Sequence, residues 1–381
     1  MDRSRHGHNL FCDVLPARRE DGPLKITDGD ISIFTVALRR PFITALGRKS
    51  KTRNVAVRIR LRNGMEGYGE ASGSVVNSRL KPEALARTLR VQLGRALGKD
   101  IREFRLLADE AWSPKGRAPA PAAAAFECAL TDAFSKSIGL SLREWFGGAV
   151  RNIETDITIS ASPALDAKEA AAQALEEGFR QFKIKIGTGP NQDAQRIEAV
   201  WEAIRTARGA GRGGAASARD ALILLDGNQR MTPAQALRLL DRCHRRGIPI
   251  ALIEQPFPRE DLAQMAWFRK RSAVPVAADE SVQTPQDALR LLDSEAADVL
   301  NVKVAKTGIE RSLQIIALAQ AARKRLMIGC MQETAAGLSA SVHLACGTGA
   351  FEFADLDSDR LLAPDQPAGD FRREGPRIRA T

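Results

Sequence analysis

From about residue 155 to 357, short β-type runs alternate with amphipathic helical stretches, and this alternation constrains the fold more than any other feature. The runs are DITIS, QFKIKIG, ALILLDGN, IALIEQP, PVAADES, DVLNVKVAK, RLMIGCM and FEFADLD. Each is brief and aliphatic, and most are bounded by turn-forming residues, as strands are. Helix starts stand between them. In TPAQALRLLDRCHRRG, Thr232 reads as an N-cap and Pro233 as the first helical residue, and TPQDALRLLD repeats the signature at Thr284. Eight strand–helix repeats imply an α/β protein built on a parallel TIM-type barrel, whose chemistry gathers at the C-terminal ends of the strands.

The chain before the barrel reads differently. Residues 29–71 alternate with period two, and Asn63-Gly64 is a hairpin signal. Residues 81–148 turn helical and Ala-rich, so strands then helices form a separate α+β unit. The expected organisation is a basic, disordered tail over 1–25, the α+β unit over 26–150 and the barrel over 151–358. A C-terminal segment, 359–381, is expected to pack back towards the first unit. The run ARGAGRGGAASAR, 207–219, reads as a flexible surface insertion on the face away from the chemistry.

A length of 381 residues suits a barrel plus a smaller domain. No run approaches the roughly 18 apolar residues of a membrane helix, and the N-terminus lacks the apolar core of a secretory signal. Five scattered cysteines without CxxC spacing imply reduced thiols and a cytoplasmic location, and argue against zinc or disulfides. The net charge of +11 raises nucleic-acid binding as an alternative. The basic residues are spread along the chain and no RNA-binding aromatic motif occurs, so no nucleic-acid partner is expected.

Three acids close three successive runs: Asp226, Glu254 and Asp279, spaced 28 and 25 residues apart. Neighbouring strands lie roughly 4.8 Å apart, so these acids converge at the barrel mouth. Unneutralised, they would raise one another's pKa. A hard dication resolves the repulsion, and oxygen ligands favour Mg²⁺ or Mn²⁺. Asn228 and Glu280 stand beside the acids as candidates to support them.

Lys183 and Lys185, two apart on one run, share a face. Two such ammoniums and a nearby dication are expected to lower each other's pKa, leaving one amine neutral enough to act as a base. Lys303 lies 24 residues after Asp279, and Lys306 follows in KVAKTG as a second candidate base. With Lys185 and Lys303 on opposite sides of a substrate, a proton α to a carboxylate is removed on one face and returned on the other. The metal would stabilise the enediolate between the two steps.

These residues resemble the muconate-lactonizing-enzyme subgroup of the enolase superfamily, from about residue 29 to the end. The resemblance rests on the KxK of Lys183 and Lys185, the acids Asp226, Glu254 and Asp279 (in ADES), the NxK of Lys303, and MQET with Glu333, a candidate substrate contact on the seventh strand. It implies a capping α+β domain and a modified (β/α)7β barrel, with Lys303 rather than Lys306 as the catalytic lysine and Lys183 in contact with the substrate. Within the subgroup, FADLDSD is similar to the DxD of dipeptide epimerases, with Asp355 and Asp357 receiving a dipeptide ammonium. Acylamino-acid racemases, succinylbenzoate synthases and cycloisomerases are the alternatives on this scaffold. RPFITALGRKSKTRN resembles the family's specificity loop. Leu46 and Gly47 stand where Ala-Glu epimerases carry an arginine, with Arg48 and Lys49 next as candidates to meet an acidic side chain. A second capping contact is expected from Glu70 to Ser74. The implied partner is a small dipeptide, and barrels of this kind often form homo-oligomers.

Overall fold

The computed structural model describes residues 22–72, 80–113, 118–209 and 221–381. The tail before residue 22, Gly73, Ser74 and most of the 207–219 run lie outside the described residues.

The first unit is an antiparallel sheet of β1 (Ile26–Thr44), β2 (Gly47–Leu61) and β3 (Glu66–Ala71). The β2–β3 turn is the one signalled by Asn63-Gly64, and Gly64 has φ 85°. Three helices follow, Pro82–Ala96, Phe104–Trp112 and Ala120–Ser137. The last lies almost against β3. A Cβ on Gly67 would stand 2.1 Å from Ala129 O, and one on Gly69 would stand 1.9 Å from Ala125 O. Only glycine facing alanine permits that approach. Val55, Val57, Ile59, Leu89, Phe126 and Leu130 fill the core between sheet and helices.

After β4 (Asn152–Glu154) comes the barrel: β5 (Ile157–Ile159), β6 (Gln181–Lys185), β7 (Leu222–Asp226), β8 (Ile250–Glu254), β9 (Val276–Ala278), β10 (Val299–Val302), β11 (Arg325–Gly329) and β12 (Phe353–Asp355). These eight strands are parallel and neighbours in chain order. Leu224, Leu252, Ala277, Val299, Met327 and Phe353 form the inner layer of the barrel. The outer faces of the strands pack on the helices. Thr232 and Thr284 cap their helices as expected, the first in a reciprocal box with Gln235.

The wall between β5 and β12 is closed by other means. Asp156 N donates to Ala354 O (2.9 Å), Leu356 N to Thr155 Oγ1 (2.8 Å), and Thr158 N to Asp357 Oδ2 (2.6 Å). One main-chain bond and two side chains, Thr155 and Asp357, thus complete the ring where strand ladders stop.

The C-terminal segment divides. Its start reaches the capping sheet, where Ala363 N donates to Ala37 O and Leu38 bridges Leu362. Its end forms β13 (Phe371–Glu374) and β14 (Arg377–Ala380), and β14 pairs with β4 rather than with the cap. The cap sits over the strand ends. Ala161 N donates to Ile43 O (2.7 Å), Asn54 Nδ2 to Gln332 O (2.7 Å), and Thr334 N to Glu70 Oε1 (3.0 Å). Among the described residues, no helix is long and apolar enough to cross a membrane.

Candidate active site

Strand register brings the acids and lysines together. Lys185 pairs with Asp226 across β6–β7, and Asp226 with Glu254 across β7–β8. Asp279 and Lys303 stand one residue beyond β9 and β10. All five are buried, as is Lys183. Lys183 Nζ stands 2.6 Å from Asp355 Oδ2, 2.6 Å from Glu254 Oε2 and 3.7 Å from Asp226 Oδ2. Lys185 Nζ is 2.5 Å from Asp226 Oδ2, and Lys303 Nζ is 2.8 Å from Asp279 Oδ2. Ammoniums are therefore interleaved with carboxylates at one level of the barrel.

For Lys183 this interleaving acts against the expected lowering of its pKa. Burial pulls Lys183 down, but Asp355, Glu254 and Asp226 more than offset it and hold the ammonium above its ordinary range. Lys303 is likewise raised, burial being outweighed chiefly by Asp279. The neighbouring acids respond in kind. Burial opposes ionisation of Asp226 and Asp279, yet the lysines keep both below the usual carboxylate range. Glu254 is raised, because burial there dominates.

Asn301 and Gln255, which the sequence did not single out, hold these acids together with Lys306. Asn301 Nδ2 donates to Glu254 Oε1 (2.7 Å). Gln255 Oε1 accepts from the backbone of Asp279 and Ser281. Lys306 donates to both the carboxylate and the main-chain oxygen of Asp279, at 2.5 and 2.6 Å. The NxK and EQP patterns carried a signal for Asn301 and Gln255. Gly329, on β11, leaves room for Lys303: a Cβ there would lie 2.7 Å from Lys303 Cε.

The residues present fit a hard dication. The donors are carboxylate oxygens. Asn228 Oδ1 and Glu280 Oε2 are buried without a hydrogen-bond partner beside Asp226 and Asp279, and Glu254 Oε2 lies near Lys183 but off hydrogen-bond geometry. Burial and the neighbouring Asp279 push Glu280 up to about 8. Orphaned buried oxygens of this kind are costly unless a cation or donor meets them.

A second acidic group lies at the β5–β12 seam. Cys330, Asp355 and Asp357 bring one ligand atom each within 4.8 Å of one another. They make a poor site for a hard dication, because a sulfur ligand suits softer metals and only the two aspartates offer oxygen. Asp357 is pushed up to about 6 by burial and by Asp355. Asp156, buried beneath them, is raised well above its ordinary range by burial and by the same two acids. The sequence reading missed it because it opens a strand instead of closing one.

Lys185, Lys303, Asp279, Asp355, Asp357, Asn228 and Glu280 all line one cavity of about 170 Å³. The cap contributes Phe42, Thr44, Leu46 and Ser72 to it. The Phe42 ring centre lies 5.9 Å from Lys185 Nζ. Two expected contacts fall elsewhere. Arg48 is exposed and does not line this cavity, because it sits on the outer run of the hairpin opposite Ile43. Glu333 lies past the end of β11, where its carboxylate accepts from Met331 N (2.9 Å), and it lines a neighbouring cavity with Tyr68 and Glu70. Glu70 does not line the cavity of Lys185 and Lys303 either. It holds the β11 loop through Thr334, while Ser72 Oγ donates to Gln332 O (2.9 Å).

Residues 166–380 match the enolase C-terminal domain-like family, and residues 29–147 match the mandelate racemase / muconate lactonizing enzyme N-terminal domain. The chain belongs to this mandelate racemase / muconate lactonizing enzyme family. It is 36% identical over 355 residues to an L-Ala-D/L-Glu epimerase of Thermotoga maritima, covering 93% of this chain and 98% of that one. It is 35% identical to an aromatic dipeptide epimerase of Herpetosiphon aurantiacus, covering 90% and 92%. A solved dipeptide epimerase of Methylococcus capsulatus, complexed with Mg and the dipeptide L-Arg-D-Lys, superposes with a TM-score of 0.81 at 31% identity, over 94% and 97% of the two chains.

Proposed function

We propose that this chain is an isomerase that epimerises L,L-dipeptides at the α-carbon of the C-terminal residue. The observation that carries the reading is one cavity lined by Lys185, Lys303 and Lys306, by Asp279, and by the Asp355–Asp357 pair. Its relatives named above are epimerases, two of them dipeptide epimerases by name.

Asp226, Glu254 and Asp279 would hold Mg²⁺, with Mn²⁺ as a chemical alternative. When bound, the ion would draw in the substrate carboxylate and stabilise the charge that builds on it as the α-proton leaves. The chain's own residues do the rest. Lys183, buried among three carboxylates, stays charged and faces the carboxylate end of the substrate. Asp355 and Asp357 receive the α-ammonium of the N-terminal residue. An N-acylated amino acid has no such group and would leave these acids unused. Lys185 takes the proton from one face, and Lys303, held protonated by Asp279, delivers one to the other. The cap, docked through Ile43, Asn54 and Glu70, excludes water.

The test is incubation of L,L-dipeptide pools with the enzyme and Mg²⁺ in D₂O, reading deuterium gain by mass. Wild-type enzyme should label both epimers. Lys185→Ala and Lys303→Ala should each label from only one stereoisomer. Exchange of both isomers by both variants would remove the two-base assignment.

A further inference from the structure

We infer that the residue being epimerised carries an apolar side chain, aliphatic or aromatic, and that an acidic side chain is rejected. The inference rests on the dipeptide-epimerase reading and specifies its substrate class.

Phe42 lies beside Lys185, the amine that reaches the α-carbon from its side, so what packs on Phe42 is the side chain of the reacting residue. The tip of the β1–β2 hairpin is held over this spot. Ala45 packs on Gly187 beyond β6, where a glycine Cβ would come 3.3 Å from Ala45 Cβ, and Thr44 Oγ1 accepts from Leu46 N (3.1 Å). The apolar part of the cavity wall includes Phe42, Leu46, Pro121, Met331 and Leu361.

Charge decides against an acidic side chain. Among the described lining residues there is no arginine. Each lining lysine is already engaged: Lys185 by Asp226, and Lys303 and Lys306 by Asp279. The remaining ionisable side chains of the wall, apart from the Cys330 thiol, are acids: Glu280, Asp355 and Asp357. A substrate side-chain carboxylate would enter without a free counter-ion, beside the acidic Asp355–Asp357 pair and away from water. An aliphatic or aromatic group would bury its surface against Phe42 and Leu46 with no such penalty.

The experiment measures kcat/KM of the Mg²⁺-loaded enzyme on L-Ala-L-Leu, L-Ala-L-Phe and L-Ala-L-Glu. The apolar substrates should be favoured by about 100-fold or more. Leu46→Arg and Leu46→Lys, which place a cation at the half-exposed hairpin tip, should narrow that ratio at least about 10-fold by improving the Glu substrate. Equal turnover, or preference for L-Ala-L-Glu in the unaltered enzyme, overturns the inference and leaves the dipeptide reading standing. Turnover of no dipeptide at all overturns both.

Discussion

Two acidic groups share the barrel mouth and are neutralised in opposite ways. On the β7–β9 side, Asp226 and Asp279 each touch at least one ammonium, and both stay ionised despite burial. At the β5–β12 seam, Lys183 serves Asp355, while Asp357 and Asp156 lack a cation of their own and are pushed towards the protonated form. The first group is built around permanent charge. The second has room for a visiting cation, and a proton takes that place when none arrives.

The hardest blow to this contrast is removal of the anion that two lysines share. Asp279→Asn leaves Lys303 and Lys306 without it, and should cost about 3–5 kcal/mol in urea unfolding of the metal-free protein. A loss near zero would mean the interleaving does not stabilise the mouth. Next comes the seam. Asp355→Asn should lower kcat/KM on dipeptides by about 100-fold, while leaving unfolding less affected than Asp279→Asn does; equal damage to both properties would erase the distinction between the two groups. Lys306→Met should weaken Mg²⁺ binding by about 10-fold in calorimetric titration, since it frees the Asp279 carboxylate that Lys306 orients. Unchanged affinity would assign Lys306 to packing alone. The smallest effect is a pH profile. Below about pH 6 Asp357 takes up its proton and loses its hold on an ammonium, so KM should rise about 10-fold between pH 7 and pH 5. In Asp357→Asn the rise should be absent and KM high throughout; a wild-type KM flat across that range would remove Asp357 from ammonium binding.

Much of this was legible because strands repeat at a fixed period and their ends carry unusual residues. The eight runs became the eight barrel strands, and their closing acids and lysines lie at one mouth. What escaped depends on distances the chain does not state. Phe42 reaches Lys185 only because the hairpin folds over β6, far along the sequence. Glu333, expected on the seventh strand, lies past its end, where its carboxylate accepts from Met331 N and lines the cavity of Tyr68 instead. β13 and β14 are short and charged, and nothing in their pattern announces β4 as a partner. Periodicity names elements; which face a loop residue shows is settled by local hydrogen bonds.

The closing stitch between β5 and β12 has one more consequence. There the wall depends on Thr155 and on the same aspartate, Asp357, that we propose receives the substrate ammonium. Architecture and recognition draw on a single carboxylate, so a guest that tightens its grip on Asp357 also pulls on the last joint of the ring. Slower amide exchange at Thr158 on ligand addition would register that tug directly.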